Sequence, residues 1–576
     1  MFQQDLQPVG DSLALSALCG ALPLVAILVL LGGLRLKAWV AGLISLGVAL
    51  LVAVILFEMP VGQALLAGTE GAAFGFFPIL WIVINAIWVY NLTVASGHFD
   101  VLRRSFEKVS PDLRVQAIII AFCFGALLEA LAGFGTPVAI TVVMLVALGF
   151  EPLKAAAVSL VANTAPVAFG ALATPIVTLA TVSSGAGDDP GLTTDNLGAM
   201  VGRQTPLLAI VVPLILVVIV DGRRGLRNAW VPAITCGLTF AVTQFVASNY
   251  ISVQLTDIIA SLLSAGAVVL LVRVWQPAEV LTAEPATVPA HAAVGRTGTT
   301  TTTANGPTGG RHSEHNDPED LRSPDHVDTR ADVARAYAPY LVIIAILAVA
   351  NINAVKERLA KEPWTTSFGW PGLDVRNTQG DPVSSTTFIF NWLPTAGTLM
   401  IIAGIISALI LRVKPGDAVR TYARTYVELR SAIVTVMAVL ALAYVMNLSG
   451  QTASLGSWLA QAGSAFAILS PIIGWLGVAV SGSDTSSNAL FGGLQVQTAS
   501  QAGLDQVLMA GSNSSGGVLG KMISPQNLAI AAAAVGMAGR EGDIFRKVIG
   551  WSVLLLALMC LIVWLQSTSV LDWMVP

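Results

Sequence analysis

The chain has 576 residues, 55% of them hydrophobic and only 11% charged, with a mean hydropathy of +0.76. A water-soluble protein of this length carries roughly 25% charged residues, so that class is excluded. The net charge of −4 gives no basic surface for nucleic acid, and in a membrane protein the position of each Lys and Arg matters more than their sum.

A bilayer crossing needs about 20 mostly apolar residues, and such stretches recur from end to end. The first eleven residues hold Asp5 and Asp11 and neither Lys nor Arg, which argues against a cleavable signal peptide. Residues 12–32 read as a first span, entered from outside, because Arg35 and Lys37 follow it and basic residues stay cytoplasmic. Spans near 38–57 and 74–97 lead to a basic loop with Arg103, Arg104, Lys108 and Arg114. The loop at 181–202 carries Asp188, Asp189 and Asp195 and reads as external. Spans near 204–221, 228–247 and 254–273 leave Arg223, Arg224, Arg227 and Arg273 inside.

Residues 276–336 differ in composition. The run TGTTTTTANGPTGG has no apolar periodicity, so the expectation is a disordered cytoplasmic linker between membrane repeats at 1–275 and 337–576. His312 and His315 in HSEH lie there without a scaffold that would make a metal site. Cys19, Cys123, Cys236 and Cys560 are scattered singly and read as core packing. The second half repeats the charge logic, with spans near 337–353, 388–411, 431–450 and 548–566. Arg412, Lys414, Arg420, Arg424 and Arg430, and then Arg540, Arg546 and Lys547, mark its internal turns. The pattern closes if segments 115–180 and 465–537 each cross an odd number of times, with both termini outside. The expected fold is an all-α polytopic membrane protein of about 12–14 transmembrane helices.

Those two segments are apolar yet full of Gly, Ser, Thr, Asn and Pro. The first contains EALAGFGTPVAI (Glu129–Ile140) and NTAPVAFGALATP (Asn163–Pro175); the second contains SGSDTSSNAL (Ser481–Leu490) and NSSGGVLGKMISP (Asn513–Pro525). Gly133 and Thr136 align with Gly482 and Thr485, Asn163 with Asn513, Gly170 with Gly520, and Thr174-Pro175 with Ser524-Pro525. The preceding spans also end alike, in Asn91-Leu92-Thr93 and Asn447-Leu448-Ser449. By the charge pattern the two copies enter the membrane from opposite sides, which predicts inverted-topology repeats with broken helices or re-entrant hairpins. Interrupted segments in matching places of two inverted halves point to a transporter's binding site. Irregular backbone at membrane depth is tolerated only beside protein or water, and broken helices present N–H groups that suit a carboxylate. The same small residues would otherwise serve close helix packing. The candidate binding set is Gly133, Thr136, Asn163, Thr164, Thr485, Ser486, Ser512, Asn513, Ser514 and Lys521.

The strings EALAGFGTPVAI, NTAPVAFGALATPI, SGSDTSSNALFGGLQ and NSSGGVLGKMISPQNLAIA resemble those of the lactate permease family over nearly the whole chain. The 276–336 insert is longer and more polar than in that family. The resemblance implies uptake of L-lactate, D-lactate or glycolate, small 2-hydroxy monocarboxylates, with a proton across the inner (plasma) membrane. The family is grouped with ion transporters whose members bind carboxylates at Ser-Asn-Thr motifs, which Ala162-Asn163-Thr164 and Ser512-Asn513-Ser514 resemble. That grouping implies a scaffold, a moving transport domain and a homodimer.

Ionisable groups at membrane depth are candidates for function. Glu151, Lys154 and Asp505 read as solvated turns, and Arg203 as the start of a span. Glu129 and Asp484 adjoin the repeat motifs and are the candidate proton carriers, since a carboxyl in apolar surroundings is easier to protonate than one in water. Lys521 would meet the substrate carboxylate or pair with Asp484. No protease motif and no GxxxxGK[ST] nucleotide loop occurs, so neither an enzyme nor a cofactor is expected. The rival reading is a sodium-coupled carboxylate symporter or a cation/proton exchanger that uses the same oxygen-rich clusters.

Overall fold

The computed structural model describes the chain apart from Phe134, Asp188, 283–320, 322–326, Gln379, Asp381, Ser384, Ser385, Ala538 and the side chains of Glu107 and Asn353. Most of the expected linker, with His312 and His315, lies outside the described residues, as does Asp188. The first half carries α1 (Leu13–Leu28), α2 (Ala38–Ile55), α3 (Val61–Phe74), α4 (Trp81–Ala95), α5 (His98–Glu107) and α6 (Leu113–Gln116). It continues with α7 (Gly125–Leu131), α8 (Thr136–Ala147), α9 (Pro152–Ala162), α10 (Gly170–Ser184), α11 (Thr194–Ala209), α12 (Val212–Val246) and α13 (Thr256–Val274). The second half opens with α14 (Arg330–Ala350), α15 (Asn353–Leu359), α16 (Ala396–Ile410), α17 (Pro415–Ser449) and α18 (Gln451–Leu459). It closes with α19 (Phe466–Ser481), α20 (Asp484–Ala502), α21 (Gln506–Gly520), α22 (Pro525–Ala534) and α23 (Glu541–Gln566). Among the described residues, four short strands form two two-stranded sheets: β1 (Phe2–Gln3) beside β3 (Val375–Arg376), and β2 (Thr366–Gly369) beside β4 (Thr387–Phe390).

The chain is an all-α multi-pass membrane protein. Among the described residues, eleven helical stretches are long and apolar enough to cross a bilayer, and α8, α9 and α16 are shorter apolar helices. One of the eleven, Thr194–Ile251, is 58 residues long and folds back on itself at Asp221 and Gly222, where the helical angles fail. A Cβ on Gly237 would meet the Ile210 carbonyl, and one on Gly198 would meet Val253. The two limbs are therefore antiparallel.

Several expected boundaries move. The span expected at 204–221 starts at Thr194, capped by the Thr193 hydroxyl, which accepts from the Asn196 N–H at 3.2 Å. Arg203 is consequently mid-helix rather than at a helix start, and donates to Asn249 Oδ1 at 2.9 Å and to the Met574 carbonyl at 3.0 Å. Residues 330–336, assigned above to the linker, form the first turns of α14. Thr329 and Asp332 build a reciprocal capping box there. The basic run at 412–430 is largely helical, because α17 begins at Pro415, and of 388–411 only 396–410 is helix.

Helix α17 is 35 residues long, and Val61–Ala95 is an apolar helical stretch of equal length. At about 1.5 Å per residue each reaches ~52 Å, against a hydrocarbon core of ~30 Å. They run antiparallel along their length. Gly71 lies on the Leu440 carbonyl, Gly75 would place a Cβ 3.0 Å from Met437 Cα, and Asn91 Nδ2 donates to Thr425 Oγ1 at 3.0 Å. The turn at Phe77 (φ −128°, ψ 122°) kinks the first partner.

Helices α19 and α21 pack even closer. Cβ atoms on Gly474, Gly516 and Gly520 would overlap the carbonyls of Asn513, Pro471 and Trp475 respectively. Small residues let transmembrane backbones meet in this way. Gly516→Val is therefore expected to lower the yield of folded, detergent-stable protein sharply. Gly416→Ala, with nothing within 4 Å, should leave it unchanged; size-exclusion profiles and thermal melts of both variants test this.

Candidate functional site

Four helix interruptions meet in one place. Between α7 and α8 the chain turns through Gly133 and Gly135 at φ +53° and +82°, and between α19 and α20 through Gly482 at +76°, angles that suit glycine. The α9–α10 interruption runs from Asn163 to Phe169 and continues through Ala171, Leu172 and Ala173 at φ +43°, +57° and +59°. Left-handed angles in three successive non-glycine residues are costly and concentrate at functional sites. Between α21 and α22 a single tight turn at Lys521–Ile523 gives way to Ser524, which caps α22, and Pro525, its first residue.

A cavity of about 910 Å³ opens among these breaks. Of the expected residues, Glu129, Gly133, Thr136, Asp484, Thr485, Ser486 and Lys521 line it. Arg35 and Lys37 stand at its mouth, together with Asn91 and Glu428. Helix α8 starts there with no acidic residue and no side-chain cap in its first turn; the Thr136 N–H donates to the Gly133 carbonyl at 3.0 Å, and Pro137 has no N–H to offer.

The cavity's electrostatics centre on Lys521. Its Nζ donates to Glu129 Oε1 at 2.6 Å, and the two side chains are only 7% and 3% exposed. Of the two partners expected from the sequence, the substrate carboxylate and Asp484, neither is Glu129. Glu129 takes the position because α7 ends two residues after it and Gly170 leaves it room: a Cβ on Gly170 would stand 2.8 Å from Glu129 Oε1. Asp484 instead accepts from Ser514 Oγ at 2.6 Å and from Asn488 Nδ2 at 3.3 Å. Glu129 Oε2 and Asp484 Oδ1 have no hydrogen-bond partner among the described residues.

The Asn/Ser/Thr motifs lie behind this surface rather than on it. Asn513 Nδ2 donates to Asn488 Oδ1 at 2.9 Å, and Gln495 Nε2 donates to Asn513 Oδ1 at 3.0 Å. Asn488 Nδ2 also donates to the Pro175 carbonyl at 3.0 Å, tying α20 to α10. Ser512 Oγ donates to the Met509 carbonyl at 2.8 Å and Thr164 Oγ1 to the Val161 carbonyl at 2.7 Å. Asn163 is buried with neither side-chain polar atom partnered among the described residues. Asn513 and Ser514 thus position Asp484 through hydrogen bonds, and Asn163 and Thr164 do not reach the cavity wall. Glu151 and Lys154 are partly exposed, and Asp505 caps α21 by accepting from the Leu508 N–H at 2.7 Å. Asn488 and Gln495 escaped the sequence reading, although SDTSSNAL contained Asn488. Among the described residues no group of three or more His, Cys, Asp or Glu is placed to hold a metal ion.

A second, more polar cavity of about 540 Å³ lies at the other end of the bundle, beside Gln4, Asp189, Asn447 and Gln497. Helix α10 lines the first cavity at Thr174 and Pro175 and the second at Ser184. Between them Gly492 packs against Leu179 and Val182, and Gly493 against Asn447.

Leaving one member of a buried ion pair unpaired costs about 3–5 kcal/mol. Lys521→Met alone is therefore expected to destabilise the protein by about that amount, and adding Glu129→Gln should restore most of the loss. Unfolding curves of the two single variants and the double variant in detergent measure the coupling; strict additivity would remove the pair from the core of the site.

A sequence profile described as L-lactate permease matches residues 16–570. The L-lactate permease of Bacillus subtilis (strain 168) is 39% identical over 592 aligned positions, covering 100% of this chain and 99% of that protein. The L-lactate permease of Escherichia coli (strain K12) is 38% identical, with 100% of both chains covered. The glycolate permease GlcA of the same strain is 40% identical, covering 98% of each. Similarity of this extent, carried through both interrupted segments and the cavity between them, leads to one conclusion: the chain belongs to the L-lactate permease family.

Proposed function

We propose that this protein imports lactate, glycolate and related 2-hydroxy monocarboxylates together with a proton, and that it is a transporter rather than an enzyme. The observation that carries the reading is the Lys521–Glu129 pair on the wall of the cavity where the helix breaks converge. The names of the curated relatives supply the substrates. Their chemistry suits the site: a carboxylate for Lys521, and a hydroxyl for the polar rim at Asp484, Thr485 and Ser486.

The coupling follows from charge. Lys521 has one hydrogen-bonded counter-ion, the Glu129 carboxylate. A buried ammonium holds one anion at a time at low cost, so an entering substrate carboxylate displaces Glu129. Glu129, left without a cation, takes a proton. The exchange balances: Lys521⁺·Glu129⁻ plus substrate anion plus H⁺ gives Lys521⁺·substrate anion plus protonated Glu129. One proton accompanies one monocarboxylate, and the buried charge stays constant. Asp484, held by Ser514 and Asn488, serves the substrate hydroxyl instead of carrying the proton.

The charge pattern of the loops supports a cytoplasmic Arg35 end, termini outside and a cytoplasmic 276–336 segment. On that orientation the larger cavity is the inward-facing vestibule, and the repeat at 115–180 is inverted relative to that at 465–537. The breaks at 132–135 and 482–483, and at 163–169 and 521–524, are the matching pairs that this symmetry requires.

The test is labelled lactate uptake into proteoliposomes. A gradient of one pH unit supports about tenfold accumulation by one-to-one symport. Glu129→Gln should exchange lactate for lactate yet fail to concentrate it under that gradient, whereas Asp484→Asn should weaken affinity and keep the response. Asn513→Ala should weaken affinity in the same way, through the displaced Asn488. Accumulation driven by sodium rather than by pH would favour the cation-coupled alternative, and full pH-driven accumulation by Glu129→Gln would send the proton by another route.

A further inference from the structure

We propose that Asp257 is a second proton site, loaded from the side of the membrane opposite the larger cavity, and that it passes its proton to Glu129 along a path the substrate does not use. The proposal rests on the reading of Glu129 given above.

Asp257 is the second residue of α13 and is fully buried. Its Oδ1 accepts from Gln244 Nε2 at 2.9 Å, while Oδ2 has no partner among the described residues. Gln244 also donates to the Ala165 carbonyl at 3.3 Å and accepts from Thr205 Oγ1 at 3.2 Å. A polar thread therefore joins α13 to α12, to α11 and to the interruption after α9, where Asn163 is unpartnered as well. A structural hydrogen bond to Gln244 would be served as well by Asn or Gln. A carboxyl with one oxygen left open inside a transmembrane bundle is the more costly choice, and such groups mark proton relays.

The position fits a relay. Helix α13 ends at Val274, and just beyond it Arg114 meets Asp221 and the Glu279 carbonyl at the end of the bundle where the larger cavity opens. Its start, at Asp257, lies at the other end, next to the turn where Ser252 meets Asn351. Glu129 lines the cavity from α7, which packs against α13. Both carboxyls are buried, and Glu129 Oε2 is open.

The other titratable groups around α13 stand elsewhere. Cys123, on the helical run before α7, and Cys236 on α12 meet each other at 3.4 Å beside Ser264, two turns along from Asp257. Asp221, Arg223, Arg224 and Arg227 lie at the far turn of α12, and Tyr250 in the preceding connection is exposed. The transfer is balanced: protonated Asp257 plus Glu129 carboxylate gives Asp257 carboxylate plus protonated Glu129, and Asp257 reloads from water at its own end. The Gln244 N–H holds the transient carboxylate.

The experiment uses the full chain in proteoliposomes, with Asp257→Asn, Asp257→Glu and Glu129→Gln side by side. Asp257→Asn is expected to slow pH-driven lactate accumulation by about tenfold or more and to flatten its dependence on external pH. Lactate–lactate exchange should fall far less, and Asp257→Glu should recover the gradient response. Asp257→Asn accumulating at the wild-type rate with the wild-type pH profile, while Glu129→Gln does not accumulate, overturns this proposal and leaves the Glu129 reading standing. Wild-type accumulation by both variants overturns both. Loss of exchange together with accumulation, with no recovery in Asp257→Glu, makes Asp257 a structural brace and equally ends the proposal.

Discussion

One buried ammonium faces a surplus of buried carboxyls, and the design of the site follows from that imbalance. Lys521 is buried and hydrogen-bonded to Glu129, while Asp484 and Asp257 are buried carboxyls with no basic hydrogen-bond partner among the described residues. In hydrocarbon an uncompensated charge costs several kcal/mol, so every state of the protein must hold the count of charges nearly fixed. An anionic substrate cannot enter such a site without either a proton or a displaced carboxylate. On the proposed reading, coupling is a consequence of electrostatics, with no separate device needed to enforce it.

The side chains that meet these charges are brought together by breaks in the helices. The interruptions at Gly133–Gly135, Asn163–Phe169, Gly482 and Lys521–Ser524 bring helix ends to the middle of the bundle. Close packing is what allows four such breaks to converge. Gly170 leaves space for the Glu129 carboxylate, and Gly516 and Gly520 let α21 lie on the backbone of α19, which carries Gly482 to the same cavity. The glycines that look like simple packing residues and those that shape the site are therefore part of one arrangement.

Much of this was legible in the sequence, for a physical reason. Gly, Pro and Asn inside an apolar run conflict with a continuous helix, and the conflict appeared twice at matching intervals, so both broken segments and seven cavity-lining residues were found. What the sequence hid were facts of three-dimensional proximity. Glu129 and Lys521 are 392 positions apart, and no local pattern distinguishes Glu129 from Asp484 as the partner. Asn163 and Asn513 matched in register, yet they face the helix packing behind the cavity. Asp257 sits in TDIIASL, which reads as an ordinary acidic start to a span. Helix starts were misplaced where capping overrode hydropathy: Thr193 and Thr329 begin α11 and α14 well before their apolar stretches.

The two cavities bear on how such a site could serve both faces of the membrane. They lie at opposite ends of the same helices, α10, α17 and α20, each of which lines both. What separates them is a thin layer in which Gly492 and Gly493 receive Leu179, Val182 and Asn447. Side chains that interlock on glycine separate without breaking salt bridges or leaving large polar groups unpaired, so the barrier there is one of packing. The charged layer at Lys521 and Glu129, by contrast, resists separation unless substrate and proton compensate it. On the proposed reading, the weak layer is the one that opens and the strong layer travels with its cargo. Transport is then permitted only to a site whose charges are balanced.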